Sequence, residues 1–262
     1  ALPYRSASVG FLIDCSYLLV VTQMATGINS LVYRNTICTI LSLMKDDRTR
    51  NIVVTFDNGR TRTFAYGIQV CQLIDEPEFD GFRDSIVGGR VNNEVVSLTF
   101  KVEVNATFSP VTMTSPEGAR IYRRSLCFLL TIAATELFPE RRLVIGHSLG
   151  EGYFYYFDGE MEAADAGVAQ LSKRMRDLVA QDLGISRRVL SYADALKYLS
   201  EINHTSAQQL LEHRSDAKIP VYECAGFCDV AHGPLVQSTG SLAHFDLVNY
   251  PPGFLLRYPA TG

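Results

Sequence analysis

The stretch "RLVIGHSLGEGYFYYF", Arg142 to Phe157, decides how the second half of the chain is read. It contains Gly146-His147-Ser148-Leu149-Gly150, a literal G-x-S-x-G, which is the spelling of a nucleophile elbow. An elbow needs a strand before the serine and a helix after it, so that a strained turn lifts the hydroxyl and the helix start supports an oxyanion. "RLVIGH" supplies the strand. "GYFYYFDG" does not supply the helix, because it is rich in aromatics, carries Gly at both ends and favours strand. Ser148 is therefore expected in a strand-to-strand connection with Gly150 and Gly152 as turn residues, and no residue is assigned a catalytic role. A histidine such as His244 lies downstream, so composition alone leaves a triad open.

Outward from that stretch the chain punctuates itself. On the N-terminal side, "TSPEGARIYRRSLCFLLTIAATELFPE" predicts a helix. Ser115 caps it, Pro116 takes the first position, Glu117 suits its positive end, and Pro139 stops it after about Phe138. On the C-terminal side a second helix is expected from roughly Asp165 to Leu183. Val168, Leu171, Met175, Leu178 and Val179 form its apolar stripe, and Gly184 follows as a cap. Ser191 and Asp194 open a third helix with capping-box chemistry, and "SAQQLLEHR" is a fourth helical piece. "IPVYECAGFCDVA" returns to strands, "HGPLVQSTGS" reads as a loop, and "FDLVNYPPGFLLRYP" turns on Pro-Pro between apolar runs.

Further upstream, "NIVVTFDNGRTRTFAYG" alternates on both sides of Asp57-Asn58-Gly59, a strong hairpin signal. A short apolar segment with Val70, Leu73 and Ile74 follows as a short helix. "DSIVGGRVNNEVVSLTFKVEV" then gives strand, Asn92-Asn93 turn and strand. Hairpin, helix and more strands outline a β-grasp module. The fold class expected for the whole is α+β. The expected organisation is an N-terminal extension over 1–50, a β-grasp module over 51–112 and a second α+β domain over 113–262.

Composition narrows the function classes. The net charge of −4, with both signs interspersed, gives no global basic footprint for nucleic acid but leaves room for a local patch. Cys15, Cys38, Cys71, Cys127, Cys224 and Cys228 are scattered rather than dense, which predicts reduced thiols and a cytoplasmic location. The glycosylation acceptors at Asn105 and Asn203 are then incidental. No apolar run reaches the ~18 residues that a membrane span needs, so no membrane partner is expected. The chain begins with Ala, and regular strand patterning starts just after "MKDDRTR". Met44 is therefore the expected natural start, with 1–43 as upstream or divergent sequence.

Three segments then carry a resemblance: "RRSLCFLLTIAATELFPERRLVIGHSLGEGYFYYFD", "VAQLSKRMRDLVAQDLGISRRVLSYADALKYL" and "CDVAHGPLVQSTGSLAHFDL". In that order they resemble the second additional, editing-type domain of threonyl-tRNA synthetases, and Asn51 to Val104 resembles the TGS domain that precedes it there. The resemblance covers about Asn51 to Tyr250. It implies a deacylase site built from H-x-x-x-H and C-x-x-x-H. Those positions fall on Arg124, Phe128, Ala231 and Leu235, which supply neither imidazole nor thiolate. The editing fold is thus expected without its chemistry. "VNNEVVSL", "GHSLGEGY" and "GPLVQSTG" also resemble bacterial uridine kinase-like proteins, which carry both domains ahead of a P-loop kinase. This chain has no G-x-x-x-x-G-K-[ST]. That resemblance implies the N-terminal binding or regulatory region of a nucleoside kinase. The kinase domain would be its partner, with ATP and magnesium expected for that domain only and no cofactor here. The alternatives are a free-standing tRNA-editing deacylase and, because GHSLGE resembles the serine motif of malonyl-type acyltransferases, an acyltransferase using Ser148.

The editing-type resemblance also places a cleft. Arg124 from the opening helix, His147 from the hairpin, and His232, Ser238 and Thr239 from the Gly-Pro loop are its expected ligand residues. This donor-rich set suits a phosphorylated ligand, a nucleotide or an RNA end. Cys224, Cys228 and His232, spaced by four, spell a zinc corner, but the β-rich context favours buried thiols, and no metal is assigned. Arg120, Arg123, Lys173, Arg174 and Arg176 line either an RNA surface or solvated helix faces.

Overall fold

A computed structural model describes residues 50–150, 152–159, 165–201, 205–212 and 217–258. Met44 and the segment before it, Asn203, His204 and the closing Pro259-Ala260-Thr261-Gly262 lie outside the described residues. The first hairpin forms as its alternation demands, from β1 (Asn51–Phe56) and β2 (Thr61–Ala65). Gly59 takes φ +78, and Asn58 Oδ1 accepts a bond from the Arg60 N–H at 2.9 Å. The second hairpin joins β4 (Ile86–Val91) to β5 (Glu94–Val96) through Asn92 and Asn93, both at positive φ.

The sheet order is β2-β1-β7-β4-β5, with β7 (Ala106–Thr112) running parallel to β1 in the middle. This is a β-grasp. Its short helix α1 (Val70–Leu73) and the pair β3 (Ile68–Gln69) with β6 (Lys101–Val102) flank the sheet. Phe56, Phe79 and Phe108 meet near-perpendicular or tilted in its core. A Cβ on Gly89 would stand 2.6 Å from the Phe108 ring and 2.8 Å from Val70, so α1 approaches the sheet where no side chain intervenes. The central strand β7 is the element that the sequence hides, because Pro110 argues against a ladder position. The register resolves it: β1 pairs only as far as Phe108, so Pro110 lies past the end of that ladder and needs no N–H on that side.

The chain leaves β7 directly into α2 (Pro116–Leu137), with the Ser115 hydroxyl accepting from the Gly118 N–H at 3.1 Å as the cap. Ile121 of α2 lies over Gly88, on the sheet face opposite Gly89. Leu126, Leu129 and Leu130 are at most 1% exposed, and each contributes about 1.5–3 kcal/mol by burial. Around α2 stand two sheets. One has the order β13-β14-β9-β8, built from β8 (Leu143–Leu149), β9 (Gly152–Phe157), β13 (Asp246–Tyr250) and β14 (Gly253–Arg257). The other is β10 (Ser186–Ser191), β11 (Lys218–Cys224) and β12 (Phe227–Val230). Helix α3 (Asp165–Ala180) packs beside α2 in the same core. Helices α4 (Tyr192–Glu201) and α5 (Thr205–Glu212) cover the far face of the three-stranded sheet with a separate apolar cluster. The α+β class and the order of β-grasp, then mixed domain, are as the sequence predicts.

Two local expectations change. Helix α3 ends at Ala180, and Asp182 rather than Gly184 takes the left-handed conformation, with φ +46. Asp182 can do so because its Oδ1 accepts from the Gly240 N–H at 3.1 Å, while Gly184 is used for a bridge to Ser238. Strand β10 was not anticipated, because "SRRVLS" exposes Arg187 and Arg188 at a sheet edge where no alternation is enforced.

Candidate functional site

Ser148 is exposed near the end of β8, paired with Tyr153, and a strand follows it across Gly150 (φ +54). Among the described residues no helix start follows it, since β9 comes next in the chain. Substituting Ser148→Ala is expected to change stability by less than about 0.5 kcal/mol. Thermal melting checks that number, and covalent labelling of Ser148 by a fluorophosphonate would overturn the non-nucleophile reading.

The hairpin divides its aromatics by face. Tyr155 is fully buried, and its hydroxyl lies 2.9 Å from the Cys127 thiol of α2. Burial pushes both groups above their ordinary pKa values. Phe154 and Tyr156 stack on the opposite face, and the His147 ring stands 5.6 Å from Phe154 there. His147 therefore does not join a cleft on α2. A bulge between Ile145 and Ser148 re-aims it, and spacing does not reveal such a bulge.

The α2 face and the Gly-Pro loop do come together. Arg124 Nη1 donates to the Pro234 carbonyl at 2.8 Å, and its guanidinium covers Gly233, whose φ is +131. The Tyr222 hydroxyl donates to the Gly233 carbonyl at 2.9 Å. Ser125, fully buried, accepts from the Val236 N–H at 2.9 Å and donates to the Ile121 carbonyl. His232 is exposed, one residue from Gly233. Below this stitched mouth the floor is apolar. Leu235 is fully buried, Phe128 meets Phe227 with ring centroids 5.7 Å apart, and Ala231 packs against the same core.

Thr239 and Ser238 belong elsewhere. Thr239, expected as a cleft ligand, is fully buried. Its hydroxyl donates to the Leu178 carbonyl at 2.6 Å and accepts from the Leu183 N–H at 2.8 Å, anchoring the end of α3. Ser238 pairs with Gly184 in the same seam.

Burial lowers the pKa of Arg124 from its usual high value. Tyr222 opposes that shift, and Arg120 adds to it. The guanidinium stays charged. Among the described residues no carboxylate forms an ion pair with it. Arg187, opposite Tyr222 across β10 and β11, is the signal that the sequence reading missed: with Arg124 it pulls the burial-raised Tyr222 hydroxyl back down. Pairing arginine with an inward tyrosine required the register of β10. The zinc corner is not assembled. Cys224 faces the α2 core and Cys228 faces α4 and α5, on opposite faces of the sheet, and burial raises both thiols. Among the described residues no group of three His, Cys, Asp or Glu is placed to hold a metal. Among them also, no helix is long and apolar enough to cross a membrane.

A β-grasp followed by a long helix, an aromatic hairpin and a Gly-Pro loop defines the class, and comparison with known proteins adds its relatives. No protein-family model matches the chain. Threonine–tRNA ligase of Teredinibacter turnerae is 32% identical over 197 residues, which is 75% of this chain and 31% of that protein. The corresponding ligases of Desulforamulus reducens and Polaromonas naphthalenivorans are 29% identical over 199 residues and 31% identical over 198 residues. The chain thus carries a threonyl-tRNA synthetase-like domain, and it spans about 31% of the length of these relatives. The nucleoside kinase reading is overturned here. The relatives are tRNA ligases, and neither a uridine kinase parentage nor a kinase domain as partner has support from them.

Proposed function

We propose that this chain is a tRNA-handling region of the threonine–tRNA ligase kind, which holds an RNA end at the mouth formed by α2 and the Gly-Pro loop without hydrolysing it. The observation that carries the reading is Arg124. It is a half-buried, permanently charged fork that gives one donor to Pro234 and has no ion-pair partner among the described residues, in a chain whose relatives act on tRNA. Arg187 and Arg120 add charge of the same sign. The ester chemistry of editing would need an acid, a base or a metal-held water. Phe128, Ala231 and Leu235 offer none of these. The proposal assigns the region no metal or nucleotide cofactor and places it in the cytoplasm, where its free thiols stay reduced.

The second reading, a free-standing tRNA-editing deacylase, is favoured by a sequence similarity that covers 75% of the chain. One experiment separates the two. A threonine-tRNA transcript is titrated against wild type, Arg124→Ala and Arg124→Lys, and release of serine from the mischarged transcript is followed in parallel. Wild type is expected to bind. Arg124→Ala is expected to bind about tenfold more weakly, roughly 1.4 kcal/mol, and Arg124→Lys to fall between them. Serine release is expected at the rate of buffer alone. Protein-dependent release establishes the deacylase, and equal binding by wild type and a folded Arg124→Ala variant removes Arg124 from the site.

A further inference from the structure

A second feature lies on a different flank of α2, where Arg176, His244, Phe245, Asp246, Arg257 and Tyr258 line an open cavity of about 410 Å³. We infer that this groove binds a single-stranded segment of RNA, the same class of partner as in the proposed function and resting on that reading, at a surface apart from the Arg124 mouth.

Among the described lining residues Arg176 and Arg257 accompany one carboxylate, Asp246, and Arg123 adjoins them over the Tyr258 ring, so the rim carries an excess of guanidinium. Asp246 meets Arg176 at 3.6 Å, and among the described residues no ion pair joins it to Arg257, its neighbour across the β13–β14 ladder. The exposed side chain of His244 adds a further donor.

The Arg176 guanidinium lies 5.1 Å above the Phe245 ring, and that of Arg123 lies 4.4 Å above the Tyr258 ring. Both rings are buried, so each fork rests on a fixed platform rather than on a mobile stem. A guanidinium stacked on one face keeps its other face for a nucleobase and its edge for phosphate oxygens, the two contacts by which single strands are held. The loop is rigid at this point. The Tyr122 hydroxyl donates to the His244 carbonyl at 3.0 Å and accepts from its N–H at 2.9 Å, so α2 clamps the residue from both sides. The volume suits one or two nucleotides, within the ordinary range of ligand sites of about 300–1,000 Å³. An open groove also suits a strand that enters and leaves better than a free nucleotide enclosed on all sides.

The test uses the full chain and a fluorescent single-stranded RNA decamer of mixed sequence, titrated at several salt concentrations. Uridine monophosphate serves as competitor. Wild type is expected to bind with marked salt dependence. Arg176→Ala with Arg257→Ala is expected to weaken binding at least tenfold and to flatten the slope of log Kd against log salt by about 1.4, two single-strand phosphate contacts. Asp246→Asn, which removes the carboxylate paired with Arg176, is expected to tighten binding. Circular dichroism melts verify that each variant is folded. If the double variant binds like wild type while Arg124→Ala does not, the groove inference fails and the proposed function stands. If wild type does not bind RNA, both fail. Competition by uridine monophosphate at the affinity of the decamer overturns the strand in favour of a free nucleotide.

Discussion

Replacing Gly118 by alanine is expected to cost about 3 kcal/mol and to lower the melting temperature by roughly 6–12 °C, the range for a domain of this size. Sequence reasoning alone predicts the opposite sign. Gly inside a helix is unfavourable by about 1 kcal/mol relative to Ala, so the change looks stabilising. The structure reverses that. A Cβ at 118 would overlap the Thr112 carbonyl oxygen and stand 2.7 Å from its carbon and 3.1 Å from Met113 Cα. All of these are backbone atoms, so no rotamer change relieves the contact. Either the first turn of α2 lifts off the end of β7 or β7 shifts in the sheet. Lifting α2 withdraws Ile121 from Gly88, which is where the β-grasp sheet and the helix meet. Thermal or urea unfolding of the single variant decides it, and a melting temperature at or above wild type means that the junction yields more easily than its geometry implies.

Much of this fold was legible because its signals are local. Asn58-Gly59, Asn92-Asn93, the Ser115 cap with Pro116, and the Ser191–Asp194 box each settle their conformation within a few residues, and each is found where expected. What stayed hidden depends on partners distant in sequence. Strand β7 was masked by Pro110, whose tolerance follows only from where β1 stops pairing. Gly184 was expected to cap α3, but Asp182 does so, because Gly240, 58 residues away, offers it a donor. The candidate site divides in the same way. Arg124 meets the Gly-Pro loop, since a helix register fixes its face. His147 was lost to a bulge, and Thr239 to an anchoring role that no spacing announces. The arginines stacked on Phe245 and Tyr258 come from α2 and α3, and no linear motif joins them.

The positions that the editing-type resemblance singles out share one physical logic. Arg124 spans the mouth between α2 and the Gly-Pro loop while Phe128, Ala231 and Leu235 join the core beneath it. Hydrolytic groups in such a site must be polar and near water, and polar groups there without partners cost about 1–3 kcal/mol each. The apolar side chains of Phe128, Ala231 and Leu235 carry no such cost, and the Gly-Pro loop closes onto α2 through Ser125 and Arg124. At the mouth stands the Arg124 guanidinium, on which the proposed RNA contact rests.

Thr239→Val is expected to destabilise the protein by about 2–4 kcal/mol, while Thr239→Ser stays close to wild type. Valine keeps the shape of threonine and fills the same volume, so no cavity or clash contributes to the difference. It removes only the hydroxyl, which bonds the Leu178 carbonyl and the Leu183 N–H at a fully buried position. Both backbone groups belong to the end of α3, where the helix has run out and the chain must turn at Asp182. Left without partners in the core, each carries a desolvation penalty of about 1–3 kcal/mol. The loss also reaches the loop, because the Thr239 N–H donates to the Leu183 carbonyl and the Ile185 N–H to the Gln237 carbonyl in the same seam. Loosening that seam frees the part of the Gly-Pro loop that Arg124 and Ser125 hold from the other side. RNA binding by Thr239→Val, measured well below its melting temperature, is expected to weaken only as far as the loop loosens, and Thr239→Ser to bind like wild type. Had Thr239 been a ligand contact, Thr239→Val would lose binding with its melting temperature unchanged, and that outcome would return the residue to the cleft.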